Sequence, residues 1–199
     1  MQSLPNKNIF YALIGVVALE IIVGVFYLLT PSTKTKVSTT VNPKVTLPVQ
    51  NSTSSAIVSI LPASLQVSVS QSNTLQINID TDKKEIAGAD VILNYDPEKI
   101  EINKADITPG NITETFANVV VDTSKKQIVI SGFTDPKLPF SGKGVFANIN
   151  FKALEVGLVK LTPLFVAPGD TKDTNVVEKG IGKDILSKVA GSAITIIAK

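Results

Sequence analysis

From Ala63 to the end of the chain, apolar and polar residues alternate in short runs, a period of two that suits strands and not helices. Leu65, Val67 and Val69 alternate with Gln66, Ser68 and Ser70, and Leu75, Ile77 and Ile79 with Gln76, Asn78 and Asp80. Successive side chains of a strand point to opposite sides of a sheet, so each run buries one face and wets the other. Further runs span 87–95, 99–102, 116–121, 127–133, 144–152, 158–164 and 192–198, separated by Asp, Gly, Pro and Asn. About nine short strands with turn signals between them predict an all-β, jelly-roll β-sandwich. The polar, Gly-interrupted stretch 169–188 reads as a long excursion with room for one more short strand.

The start of the chain follows another rule. Ile9 to Leu29 is one apolar run, and at about 1.5 Å per residue a helix over it is roughly 31 Å long, the thickness of bilayer hydrocarbon. It ends in Phe26, Tyr27, Leu28 and Leu29, bulky where a signal peptidase needs small residues, so an uncleaved transmembrane helix is expected. Tyr11 and Tyr27 suit the two interfaces, and Glu20 falls near mid-span, where an ionisable group is costly. The expected organisation is a short cytoplasmic leader over 1–8, a membrane helix over 9–30, a Thr/Ser/Pro-rich linker over 31–62 and the sandwich over 63–199. That places the protein in the cell membrane as a single-pass chain with its C-terminal domain extracellular.

Composition removes several function classes. The chain has no histidine and no cysteine, which excludes His-based triads and His/Cys zinc sites. A net charge of +2 with interspersed signs supplies no basic patch for nucleic acid. There is no tryptophan, and no G-x-S-x-G nucleophile motif. The chain is therefore expected not to be an enzyme and to need no cofactor of its own.

The densest local signal is Ile86-Ala-Gly-Ala-Asp-Val-Ile-Leu-Asn-Tyr-Asp-Pro97. Alternation sends Val91, Leu93 and Tyr95 to the core, and Asp90, Ile92 and Asn94 to the opposite face. On the run 127–133 the outward set is Gln127, Val129, Ser131 and Phe133. An apolar patch ringed by Asp90, Asn94 and Gln127 has the composition of a recognition surface.

The run ending in Tyr95-Asp96-Pro97 resembles the third-strand signature of cohesins, the receptor modules of cellulosome scaffolds. Thr108-Pro109-Gly110-Asn111-Ile112 is similar to the family's Pro-Gly turn, and Gly144-Val-Phe-Ala-Asn-Ile-Asn-Phe151 to a later strand. The resemblance implies a non-catalytic module that binds dockerins, paired calcium-loop helices carried by enzymes or other surface proteins. Any calcium then belongs to the partner. It also implies that Asp90 occupies the position of an acidic residue that hydrogen-bonds the dockerin. A neighbouring contact, often Asn in the family, is Gly88 here; a bulky aliphatic contact falls on Ser131, and an acidic one near Thr134. The expected partner-binding set is thus Asp90, Gly88, Ile92, Asn94, Gln127, Val129, Ser131 and Phe133.

Alternative expectations are a carbohydrate-binding module of similar fold, or a surface adhesion or structural domain. Polysaccharide binding needs a row of exposed rings, for which Phe133, Phe140 and Phe146 are the candidates. Asp80/Asp82/Glu85 starts like a calcium loop but lacks its glycine turn and later ligands, and Asp170, Asp173 and Asn175 are candidates to hold an ion at the surface; a polar turn is the favoured reading of both.

Overall fold

A computed structural model describes residues 55–199. The Ile9–Leu29 run, the leader and most of the linker lie outside the described residues. Among those described, no helix is long and apolar enough to cross a membrane.

The described residues form thirteen strands and one short 3-10 turn. One sheet takes β1 (Ala56–Leu61), β3 (Ser72–Asp80), β5 (Ile100–Glu101), β6 (Ile107–Pro109), β9 (Lys143–Ala153) and β12 (Leu186–Ala190). Its order is β12-β1-β3-β9-β5, with β6 also on β9. The other takes β2 (Ser64–Ser68), β4 (Ile86–Asn94), β7 (Phe116–Asp122), β8 (Gln127–Phe133), β10 (Gly157–Pro163), β11 (Asn175–Glu178) and β13 (Ser192–Ile197). Here the order is β2-β13-β10-β4-β8-β7, with β11 also on β4.

Alternation builds the core between the sheets. Leu75, Ile77 and Ile79 from β3 and Ile149 and Phe151 from β9 face Val91 and Leu93 from β4 and Ile128 and Ile130 from β8, all buried. Phe146 of β9 is fully buried and packs its ring 5.6 Å from that of Phe116 on β7, so it ties one sheet to the other. Tyr95, at the end of β4, is also a core residue, 5% exposed, as alternation predicts.

The Tyr95 hydroxyl has no hydrogen-bond partner among the described residues. Burial, with the nearby Asp122 charge second, raises its pKa and keeps it neutral. Since nothing pairs with that hydroxyl, Tyr95→Phe should leave stability within about 1 kcal/mol or raise it. Chemical denaturation checks this; a loss of more than about 2 kcal/mol would reveal a hydrogen bond carried by water.

Three expectations are corrected. The sandwich begins at Ala56, inside the span 31–62 read as linker: Ala56, Val58 and Ile60 are buried and β1 sits between β3 and β12. The Ser-rich run before it and Pro62 after it gave this strand the local chemistry of a linker. The strand count rises from nine to thirteen: β1, β6 and β12 are additions, and β11 is the short strand for which the stretch 169–188 left room. Finally, the segment read as a Pro-Gly turn runs along β9 instead: Gly110 and Asn111 donate N–H groups to the carbonyls of Phe146 (3.0 Å) and Val145 (2.8 Å). A Cβ on Gly110 would collide with the Val145 carbonyl, so only glycine permits that approach.

Candidate functional site

The outer face of the second sheet gathers the eight residues singled out by sequence into four cross-strand pairs. β4 and β8 are antiparallel, with Gly88 opposite Phe133, Asp90 opposite Ser131, Ile92 opposite Val129 and Asn94 opposite Gln127. Opposed residues in a ladder share a face, so these eight side-chain positions are contiguous.

Flanking strands widen each pair into a row. Val177 of β11 continues the Gly88–Phe133 row, and Asn175 of β11 and Asn118 of β7 flank Asp90–Ser131. Val120 of β7 extends Ile92–Val129, while Thr162 of β10 and Asp122 of β7 close the row of Asn94 and Gln127. The face is therefore striped across the strands, apolar rows alternating with polar ones. Phe133 is 68% exposed and Val120 43%, which leaves large apolar groups open to solvent beside the Asp90 carboxylate.

Asp90 is half-buried and its carboxylate takes no hydrogen bond from the described residues, whereas Gln127 donates to Asn94 Oδ1 at 3.2 Å. The Lys125 main-chain N–H, with its ammonium group behind it, holds the Asp122 carboxyl below the ordinary carboxylate value, so that corner stays anionic.

Backbone geometry accounts for Gly88. A Cβ there would lie 2.5 Å from the Gly132 carbonyl and 3.1 Å from the Phe133 ring. The bulk that a side chain could offer on β4 is supplied by Phe133, across the ladder. Thr134 does not join the face: it is 6% exposed and its hydroxyl donates to the Ile86 carbonyl at 2.7 Å.

β10 and β11 share one edge of β4 in succession, and the joint between them falls at Ile92. Leu164 donates its N–H to the Ile92 carbonyl (2.7 Å) before the chain leaves as an excursion. On return, the Thr174 hydroxyl accepts from Ile92 N–H (3.1 Å) and donates to its carbonyl (3.2 Å). A side chain thus completes the ladder where main chain is missing.

Sequence reasoning missed Asn118, Val120, Thr162 and Val177; Asn175 shares their face but is buried. Val120 and Asn118 were recoverable from the alternation of the run 116–121; β11 is the short strand for which the stretch 169–188 left room, but its polar residues gave it no bounds.

Other candidate sites dissolve. Phe146 is wholly buried and Phe140 packs against the core, which leaves Phe133 without the row of exposed rings that a sugar platform needs. Asp80 belongs to a turn: it accepts Asp82 N–H (3.1 Å) and pairs with Lys143 (3.1 Å). Among the described residues no three acidic, histidine or cysteine side chains form a group that could hold a metal ion.

The described residues are a two-sheet sandwich whose outer β4–β8 face alternates apolar and polar rows. The cohesin domain model matches residues 61–181, more than half of the chain, and the chain belongs to the cohesin family. Cohesin modules bind proteins and perform no catalysis, so this chain is not an enzyme. Solved structures agree on the fold. The third cohesin of ScaC from Acetivibrio cellulolyticus, solved with the ScaB dockerin, has a TM-score of 0.58 at 21% identity and covers 72% of this chain and 100% of its own. The seventh ScaB type I cohesin of Pseudobacteroides cellulosolvens gives 0.56 at 21% identity over 72% of this chain and 93% of its own. A type II cohesin from the cellulosome of Acetivibrio cellulolyticus gives 0.54 at 18% identity over 71% and 95%. No curated protein matches this chain.

Proposed function

We propose that this cohesin is a cell-surface receptor that captures a dockerin-bearing protein on the outer face of β4, β8, β7 and β11. The observation that carries the reading is the placement of Asp90: a carboxylate with no hydrogen-bond partner among the described residues, in a polar row between two apolar rows. Packing on Phe133, Val177, Ile92, Val129 and Val120 supplies affinity, and a charge-assisted hydrogen bond to Asp90 sets the register of the partner. Family membership supports a protein partner, and the Acetivibrio cellulolyticus cohesin solved with a dockerin supports its class.

The apolar run Ile9–Leu29 supports a membrane anchor, with the Pro-containing segment after it as a stalk that holds the module away from the bilayer. Alkaline extraction of membranes and protease treatment of intact cells test that part: the chain should stay with the membrane and lose its C-terminal domain to external protease.

Capture is tested by calorimetric titration with a dockerin of a cellulosomal enzyme. Asp90→Ala should weaken binding by about 1–3 kcal/mol, which is roughly 5- to 150-fold, while the unfolding midpoint stays put. Chelation of calcium should abolish binding through unfolding of the dockerin. An unchanged dissociation constant for the Asp90 variant would remove that residue from the interface.

A further inference from the structure

Three outward residues of β4 meet three different pieces of chain along the split edge. Asp90 is paired with Asn175 of β11, and Asn94 with Thr162 of β10. Ile92, midway between them, lies at the seam. β10 ends at Pro163, which has no N–H to give, and β11 begins only at Asn175. Leu164 supplies a main-chain donor to the Ile92 carbonyl, but the Ile92 N–H is received by a side chain, the Thr174 hydroxyl (3.1 Å).

Thr174 is fully buried, and its hydroxyl is not what closes the excursion. Closure falls to its N–H, which donates to the Leu164 carbonyl at 2.9 Å. Within the excursion, Asp173 Oδ2 accepts Val166 N–H, and Asp184 Oδ2 holds the tip through Gly169 N–H (2.9 Å). The hydroxyl is thereby left to β4 alone. Without it, the Ile92 N–H would sit at a buried edge with no acceptor, and the strand would have to shift or admit water to satisfy it. Asp90 and Asn94 stand about 13 Å apart along β4, at about 3.3 Å per residue, with Ile92 at the midpoint. A shift there moves both polar rows and the apolar row between them.

We propose that Thr174 is a positioning residue of the recognition face: its hydroxyl, by filling the gap between β10 and β11, fixes the step from the Asp90 row to the Asn94 row. Thr174 touches no partner itself and acts through Ile92. The proposal rests on the capture reading, since it assigns Thr174 a part in affinity that its burial alone would not. The hydroxyl both accepts from and donates to the one residue, so it holds the N–H and the carbonyl of Ile92 at a fixed height on the edge. Valine has nearly the same shape and neither function, which makes the role separable from packing.

The test compares the full chain with its Thr174→Val and Thr174→Ser variants, at a temperature where all three are folded. In the first arm no partner is present, and amide exchange and chemical shifts are read by NMR at Asp90, Ile92 and Asn94. The valine variant should exchange its Ile92 N–H about tenfold faster or more, with shifted Asp90 and Asn94 signals, and serine should restore the parent pattern. In the second arm each chain is titrated calorimetrically with a dockerin of a cellulosomal enzyme. Thr174→Val should raise the dissociation constant about fivefold or more, the worth of one hydrogen bond, at unchanged stoichiometry, and Thr174→Ser should bring it back. A residue that served stability alone would lower the unfolding midpoint and leave that constant where it was. Parent-like signals at Asp90 and Asn94 in the valine variant overturn the proposal, as does a parent-like dissociation constant. Failure of the parent to bind the dockerin counts against the capture reading alone, because the first arm still decides whether Thr174 sets the spacing of the face.

Discussion

Phe146→Ala should destabilise the sandwich by about 3–5 kcal/mol, the cost of emptying a fully enclosed aromatic slot. The ring starts from β9 in one sheet and ends against Phe116 on β7 in the other. It also fills the space beneath Gly132 of β8, where an added Cβ would lie 2.9 Å from it. No neighbouring side chain can swing in without leaving its own place in a close-packed layer, so the cavity stays. For a domain of this size the thermal midpoint should fall by about 10 °C or more. Circular dichroism during thermal unfolding measures it. A fall of only a degree or two would mean that the sheets close on the gap and that this contact does not hold them together.

The second large effect is expected at Asp184. Its Oδ1 accepts the N–H groups of Val176 and Leu186, both at 3.0 Å, and its Oδ2 accepts that of Gly169. One buried carboxylate therefore joins β11 in one sheet, β12 in the other and the excursion tip. Asp184→Ala leaves three main-chain donors without their acceptor and should cost about 3 kcal/mol or more, with bonds to charged groups at the strong end of the range. Asp184→Asn retains one carbonyl acceptor and should lose less. Denaturant unfolding gives the free energies, and limited proteolysis should show early cuts between 164 and 173 in the alanine variant. Equal stability of parent and alanine variant would contradict this bonding scheme.

Much of the architecture can be read from period-two alternation alone, because half-buried strands must repeat every second residue. Leu75, Ile77 and Ile79 are buried, as are Val91 and Leu93, and the opposed set on β4 and β8 faces outward in register. The less legible parts are those where a strand is held by something other than its own pattern. β1 offers Ala56, Val58 and Ile60 in alternation, yet its flanks have the Ser and Pro content of an extended tether. β11 and β12 lie in and beside the polar stretch 169–188, and the Asp184 carboxylate that accepts N–H groups from both leaves no mark in an apolar repeat. Gly88 is a different case. Its need for a bare Cα arises from the Gly132 carbonyl and the Phe133 ring across the ladder, so the residue is intelligible only once register is known.

The hydroxyl of Thr174, lodged against Ile92, separates two structural obligations that are usually fused in a β-edge. With both main-chain groups of Ile92 already satisfied at the joint, the intervening ten or so residues owe the central strand nothing. They form a natural cassette: outside the Gly169 and Asp173 anchors, its residues can be exchanged in the laboratory and the adjoining surface keeps its spacing. A lineage could thereby diversify what such a receptor meets at its margin and leave the underlying framework untouched.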